Sequence, residues 1–366
     1  MTATIEHLRD NHRLSAQEYG ALLENNDPEV LHFLQREAQR AAVREFGRGI
    51  FIRGLLEISN HCRNNCLYCG IRAANTAVRR YRLGKEEILR RCAEGYALGF
   101  RTFVLQGGED PQQTDDWVED LVRSLHETFP DCAITLSLGE KREDALCRFR
   151  LAGADRYLLR HETFDPEHYA SLHPAGMSRE RRLECLHSLK KLGYQTGTGM
   201  MVGSPYQTTA NLVGDLLFIQ EFRPQMIGIG PFVHHPGTPL ATFPDGSVEL
   251  TLKLISILRL MNPRALIPAT TALATLAPDG RREGILAGAN VVMPNLTPVR
   301  YRGDYSLYEG KAADGAESAE GLEELRAELA AIGYTTNPGR GDYTGSETNA
   351  GAGGKTGAGV KNQRTN

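Results

Sequence analysis

The chain has 366 residues, with 42 Lys and Arg against 45 Asp and Glu, a net charge of −3 and 41% hydrophobic residues. That balance supports a sizeable core and leaves no basic face for nucleic acid. No apolar run is long enough to span a bilayer, and the N-terminus (His7, Arg9, Asp10, His12, Arg13) lacks the apolar stretch of a secretory leader, so a cytoplasmic protein without membrane attachment is expected.

Residues 1–48 read as a helical extension. Ser15-Ala16-Gln17-Glu18 is a capping box, and Asp27-Pro28 pairs an N-cap with proline at the first helical position. The second helix stops at Gly47, a helix-terminating glycine. From Gly49 onward, strands and helices alternate. Candidate strands are 50–59, 102–106, 133–138, 156–160, 195–202, 226–230, 266–271 and 290–293. Helical periodicity lies between them near 85–99, 114–129, 141–152, 179–192, 208–222, 250–261 and 280–288, with a last helix over 318–332. Eight such repeats point to an α/β fold, a complete (β/α)8 TIM-type barrel over 49–335. The composition from about Thr335 is rich in Gly, Thr and Asn, and predicts a disordered tail over 336–366. Within it, Gly353-Gly354-Lys355-Thr356 imitates a phosphate-binding loop, but Asn349 stands where the first glycine belongs and no strand precedes it.

Just after the first predicted strand come Cys62, Cys66 and Cys69, spaced C-x3-C-x2-C. Three thiolates this close can hold three corners of a [4Fe–4S] cube and leave the fourth iron open to a small ligand. The alternative is a structural zinc site completed by His61 or a distant residue, although no paired knuckle stands elsewhere in the chain. Seven cysteines, an odd count, argue against a disulfide framework. Cys92, Cys147 and Cys185 fall within helices and Cys132 before a strand, which reads as small buried hydrophobes. No cysteine follows Cys185, so a second cysteine-ligated cluster near the C-terminus is not expected.

Catalytic groups of a barrel gather where strands end. Those ends supply Gly107-Gly108-Glu109-Asp110, Thr135 and Ser137, Arg160-His161-Glu162, Thr270-Thr271 and Met293. Arg160 and Glu162 alternate onto one face, where buried charges need partners, and form a candidate internal ion pair. His161 points the other way and reads as packed or exposed. His234-His235 lacks a nearby third ligand. Arg53 and Glu57 share a strand face and read as a polar plug inside the barrel.

Residues 63–72, 104–110, 135–140, 153–163, 228–232 and 267–272 resemble the radical S-adenosylmethionine (SAM) enzymes, and within them the [FeFe]-hydrogenase maturase HydE family. In the general signature an aromatic residue precedes the last cysteine, here Tyr68. The resemblance implies a [4Fe–4S] cluster on Cys62, Cys66 and Cys69 at the barrel top, with SAM beside it and an external electron donor. It implies SAM contacts from Gly108, Glu109, Ser137, Glu162, Arg182 and Met293. Thr135, Arg160, Thr270 and Thr271 would line a cavity for an anionic or iron-bound substrate. That substrate would be a small cysteine-bound iron carbonyl cyanide complex made by the maturase HydG, attacked at sulfur by the adenosyl radical and passed toward the scaffold HydF. Rival readings are a methylornithine synthase, a biotin synthase-like enzyme lacking cysteines for its second cluster, and a non-catalytic iron–sulfur or zinc scaffold.

Overall fold

The computed structural model describes residues 1–312 and 314–345; the Gly353-Gly354-Lys355-Thr356 stretch lies outside them. Three helices precede the first strand: α1 (Thr2–Asn11), which the sequence reading did not anticipate, α2 (Ala16–Glu24) and α3 (Pro28–Phe46). Ser15 and Glu18 close the capping box on α2, Asp27 caps α3, and Gly47 ends α3 with φ 64°. Their apolar faces bury Ile5, Leu8, Tyr19, Leu22, Leu34 and Ala41.

The central strands are β1 (Gly49–Ile52), β2 (Gly54–Ser59), β3 (Thr102–Gly107), β4 (Ala133–Ser137), β5 (Arg156–Leu158), β6 (Gln195–Thr198), β7 (Met201–Val202), β8 (Met226–Ile227), β9 (Gly230–Pro231), β10 (Val291–Val292) and β11 (Thr335–Asn337). A six-stranded parallel sheet runs β2-β3-β4-β5-β6-β8, β1 pairs with both β10 and β11, and β7 pairs with β9. Single hydrogen bonds extend the order. Ile227 N donates to Leu266 O at 3.0 Å, Asn290 N to Ile267 O at 2.9 Å, Phe51 N to Asn290 O at 3.0 Å, and Leu55 N to Pro294 O at 3.0 Å.

Around the strands lie α4 (Lys85–Ala97), α5 (Asp115–Thr128), α6 (Glu143–Ala152), α7 (Pro166–Leu172), α8 (Arg179–Lys191), α9 (Thr209–Phe222), α10 (Val248–Met261), α11 (Thr271–Leu276), α12 (Gly280–Leu286), α13 (Val299–Arg302) and α14 (Leu322–Ala331). The N-terminal helices cover one side: α3 packs on α10 and α2 on α9. Lys253 of α10 ties them down by donating to Leu23 O and Asn25 O at 2.8 and 2.7 Å.

Several predicted strands are shorter than their apolar runs. The first breaks at Arg53, and 195–202 and 226–230 each divide in two. Close backbone approach explains the latter breaks: a Cβ on Gly199 would lie 1.9 Å from Gly228 O. The run 266–271 forms only single bridges at Leu266 and Pro268, because proline cannot donate to a ladder and Thr271 already starts α11.

The expected disorder from residue 336 is corrected over 336–345. β11 reaches Asn337, and the segment beyond it lies against the ends of the strands. Arg340 Nη1 donates to Cys132 O at 3.0 Å and its Nη2 to Asp155 Oδ1 at 2.9 Å, while Asp342 pairs with fully buried Arg156 at 2.6 Å. Arg53 Nη2 donates to Gly341 O at 3.4 Å. A polar composition hid this docking because it rests largely on charged partners distant in sequence, with Tyr343 packing on the apolar cluster of Met226, Leu266 and Val291.

Candidate active site

The cysteine loop leaves β2 and is fastened to several neighbouring loops. Arg63 N donates to Glu109 O, Leu67 N to Leu172 O and Gly70 N to Leu307 O, at 3.0, 2.9 and 2.8 Å. Gly70 and Gly108 permit these approaches. A Cβ at 70 would meet Ser306 O at 2.2 Å, and one at 108 would meet His61 O at 2.2 Å and Cys62 Cβ at 2.8 Å. Cys62, Cys66 and Cys69 are free, partly buried thiols on the wall of one cavity of about 350 Å³. Burial raises all three thiol pKa values, that of Cys66 to about 12. Tyr68 sits edge-on to His173. The His173 Nδ1 proton goes to Tyr169 O at 2.9 Å, which leaves Nε2 to accept from the Tyr68 hydroxyl at 3.4 Å. Burial, with Arg182 adding to it, lowers His173 to about 4.

Within the cavity Arg160 Nη2 and Glu162 Oε2 pair at 2.9 Å, as the strand alternation predicts. Arg160 Nε nonetheless lacks a hydrogen-bond partner among the described residues, as does Thr270 Oγ1. Buried polar atoms of this kind are expected to find a partner, and their common aim marks a ligand position. Glu162 also has φ 66°, a left-handed conformation costly to a residue with a Cβ. Arg182 Nε donates to Glu140 Oε1 at 2.6 Å and Nη1 to Arg160 O at 2.8 Å. Glu109 accepts from Glu140 N at 3.0 Å through Oε1 and pairs with Arg63 at 2.9 Å through Oε2.

Tyr68, Gly108, Glu109, Ser137, Arg160, Glu162, Arg182, Thr270, Thr271 and Met293 line this cavity with the three cysteines; Thr135 does not. Thr135 lies deeper on the same strand face, buried, and its hydroxyl is unpartnered. His161 is packed outside the cavity between Thr198 Oγ1 and Asp215 Oδ1, at 2.9 and 3.2 Å. Cys92, Cys132 and Cys185 are buried, and Cys147 is half-buried. Arg53 and Glu57 do not pair: Arg53 reaches the C-terminal segment, whereas Glu57 faces the cavity.

Sequence reasoning missed the loop over 303–312, which contributes Tyr305, Leu307, Tyr308 and Lys311 to the cavity wall. Lys311 forms an ion pair with fully buried Glu57, which also accepts from Asn295 Nδ2 at 3.1 Å. Outside, His234 joins Asp245 and Glu309 at 2.8 Å each and fastens the same loop. The polar Glu57 in an apolar strand was the available signal; its partner, 254 residues away, could not be read from spacing.

The donor set fits an iron–sulfur cluster better than a single ion. Among the described residues, no three His, Cys, Asp or Glu side chains stand close enough to hold one metal ion, as a mononuclear zinc site needs. Three thiols on one loop, close-packed glycine backbone at Gly108, and unpartnered polar atoms opposite suit a cluster with a polar organic ligand alongside.

Comparison with known proteins agrees. Residues 56–219 match the Radical SAM superfamily. The chain is 48% identical over 283 residues to the [FeFe] hydrogenase maturase subunit HydE of Thermotoga maritima, covering 77% of this chain and 80% of that protein. It is 32% identical over 292 residues to the 3-methylornithine synthase of Methanosarcina acetivorans, covering 78% and 81%. Among solved structures, methylornithine synthase (PylB) superposes with a TM-score of 0.80 at 27% identity, over 91% of this chain and 97% of that one. HydG, a maturase of the [FeFe]-hydrogenase, superposes with a TM-score of 0.77 at 22% identity, over 91% and 74%, and so shares the fold.

Proposed function

The chain belongs to the [FeFe]-hydrogenase maturase HydE family of radical SAM enzymes, and from that premise we propose that its cavity takes a small, anionic, cysteine-bound iron carbonyl cyanide complex. It is an enzyme of hydrogenase maturation whose cofactors are a [4Fe–4S] cluster and SAM. When bound and reduced, these supply a 5′-deoxyadenosyl radical by cleavage of a C–S bond of SAM.

Likeness to the family supports the following roles. Cys62, Cys66 and Cys69 hold the cluster. Gly108 backbone and Glu109 receive the SAM amine, and Glu162 and Ser137 the ribose, with Met293 nearby. Arg182, engaged through Nε and Nη1, keeps Nη2 for the SAM carboxylate. Arg160 and Thr270, with Thr271 beside them, bind the anionic substrate, and Thr135 supports that wall from below. The loop over 303–312 shuts water out of the radical step. We read the succession of parallel pairings as a complete (β/α)8 barrel over 49–335. HydG as supplier, HydF as acceptor, an external electron donor and a cytoplasmic setting complete the reading.

The observation that carries it is the unpartnered Arg160 Nε and Thr270 Oγ1, with the Arg160–Glu162 ion pair, on the wall of the cavity that the three cysteines also line. Anaerobic reconstitution with SAM, reductant and an iron–cysteine complex should give 5′-deoxyadenosine, abolished in Cys62→Ala, Cys66→Ala or Cys69→Ala. Arg160→Met should cut substrate-dependent turnover on the order of a hundredfold while leaving SAM affinity within a few fold. Conversion of lysine to methylornithine under the same conditions would sink the proposal.

A further inference from the structure

We propose that Arg80 is a positioning residue for the cluster, stapling the two ends of the cysteine loop while placing beside it a positive charge that no carboxylate cancels. In a chain of net charge −3, the stretch from Ile58 to Gly84 contains five arginines and no Asp or Glu. Three of the five are neutralised: Arg63 by Glu109 at 2.9 Å, Arg79 by Asp304 at 2.5 Å and Arg82 by Asp110 at 2.5 Å. Arg72 and Arg80 are not; Arg72 Nε is buried without a hydrogen-bond partner among the described residues. Arg80 Nη1 donates to Asn60 O at 2.5 Å and Ile71 O at 2.8 Å, and its Nη2 to Arg72 O at 2.7 Å and Asn75 O at 2.9 Å. Asn60 lies two residues before Cys62 and Ile71 two after Cys69, so a single guanidinium bridges both flanks of the ligand loop.

The partners are main-chain carbonyls, which satisfy the N–H groups without removing the charge. Held on Asn60 O and Ile71 O, the guanidinium stands against the two flanks of the ligand loop, so its charge lies beside the group that the three cysteines would hold. Three thiolates on a [4Fe–4S]2+ core carry −1; one electron from an external donor gives [4Fe–4S]+ and −2. A nearby uncompensated cation stabilises the −2 form more than the −1 form and therefore favours reduction. The planar fork is what spans four carbonyls; a lysine brings the same charge but cannot hold all four. Charge and staple are thus separable by substitution.

The inference rests on the cluster assignment to Cys62, Cys66 and Cys69, whose own failure would show as unmodified protein that binds no iron. Arg80→Gln, Arg80→Lys and, as an exposed neighbour, Arg79→Gln are reconstituted anaerobically and titrated by EPR against potential, with cluster loss to a chelator timed in parallel. Arg80→Gln should move the midpoint negative, lowering the reduced-to-oxidised ratio at fixed poise about tenfold, or about 59 mV for one electron. Arg80→Lys should keep the wild-type midpoint yet lose cluster to chelator several times faster, and Arg79→Gln should match wild type in both. An unchanged midpoint in Arg80→Gln, or an equal shift in Arg80→Lys, would overturn the charge assignment. Should Arg80→Gln fail to hold a cluster, retention by Arg80→Lys supports the proposal and failure of both overturns it.

Discussion

Gly108 shows how little room the site leaves a single residue. Its missing Cβ is what lets β3 run on into close contact with the backbone of His61 and the side chain of Cys62. Gly108→Ala should displace the cysteine loop, destabilise the fold by about 1–3 kcal/mol and reduce iron bound per chain after reconstitution. Calorimetry with iron analysis checks both; full iron content at wild-type stability would show that the contact is relaxed in solution. Gly139 lies just beyond Ser137, with φ 74° and the Glu109 carboxylate within 2.6 Å of where its Cβ would be. Glycines and the reversed φ of Glu162 therefore shape the pocket as much as its charged side chains do. The Gly108-Glu109 pair was visible as a glycine-rich strand end, but the reversed backbone of Glu162 was not, since nothing local requires it.

At the scale of elements, the loop over 303–312 is held by charge rather than by apolar burial. Lys311 inside and Glu309 outside fasten it to opposite walls. Because Glu57 is fully buried, Lys311→Met leaves an uncompensated carboxylate and should cost about 3 kcal/mol, whereas the double variant Lys311→Met/Glu57→Gln should recover much of that loss. A double-mutant cycle by chemical denaturation tests this, and strictly additive losses would refute the coupling. The strand–helix alternation was legible along the chain because short apolar runs, buried on both faces as in β2, and the 3.6-residue periodicity of the helices between them are local properties. The ends of β6 to β9 were not, since their breaks come from the approach of Gly199 to Gly228 across the sheet.

For the whole molecule, the segment beyond β11 links residues that are far apart in sequence: Arg53, Asp155, Arg156, Gln195 and Cys132. Burial would raise the Asp342 carboxyl, but Arg156, helped by Gln195 and Arg340, outweighs it and moves the pKa from 3.8 down to about 2. A depressed carboxyl stabilises the fold fully above its unfolded value and loses that contribution as pH falls through its folded value. The segment should therefore stay docked above about pH 4 and detach toward pH 2. Proteolysis of residues 338–345 across that range would follow the detachment, and Asp342→Asn should make the segment protease-sensitive already at neutral pH. Equal protection of both proteins throughout would refute the assignment.

The sequence by itself determined the parallel α/β class, α2 and α3, the three-thiol loop and the Arg160–Glu162 face, because each depends on residue type at short, fixed spacing. Only the tertiary structure decided that residues 336–345 dock rather than dangle, that Thr135 stops short of the cavity, and that Lys311 closes on Glu57. Those outcomes depend on pairings between buried charges and on backbone contacts between distant segments, and a charge in a sequence does not say which opposite charge folding will bring to it.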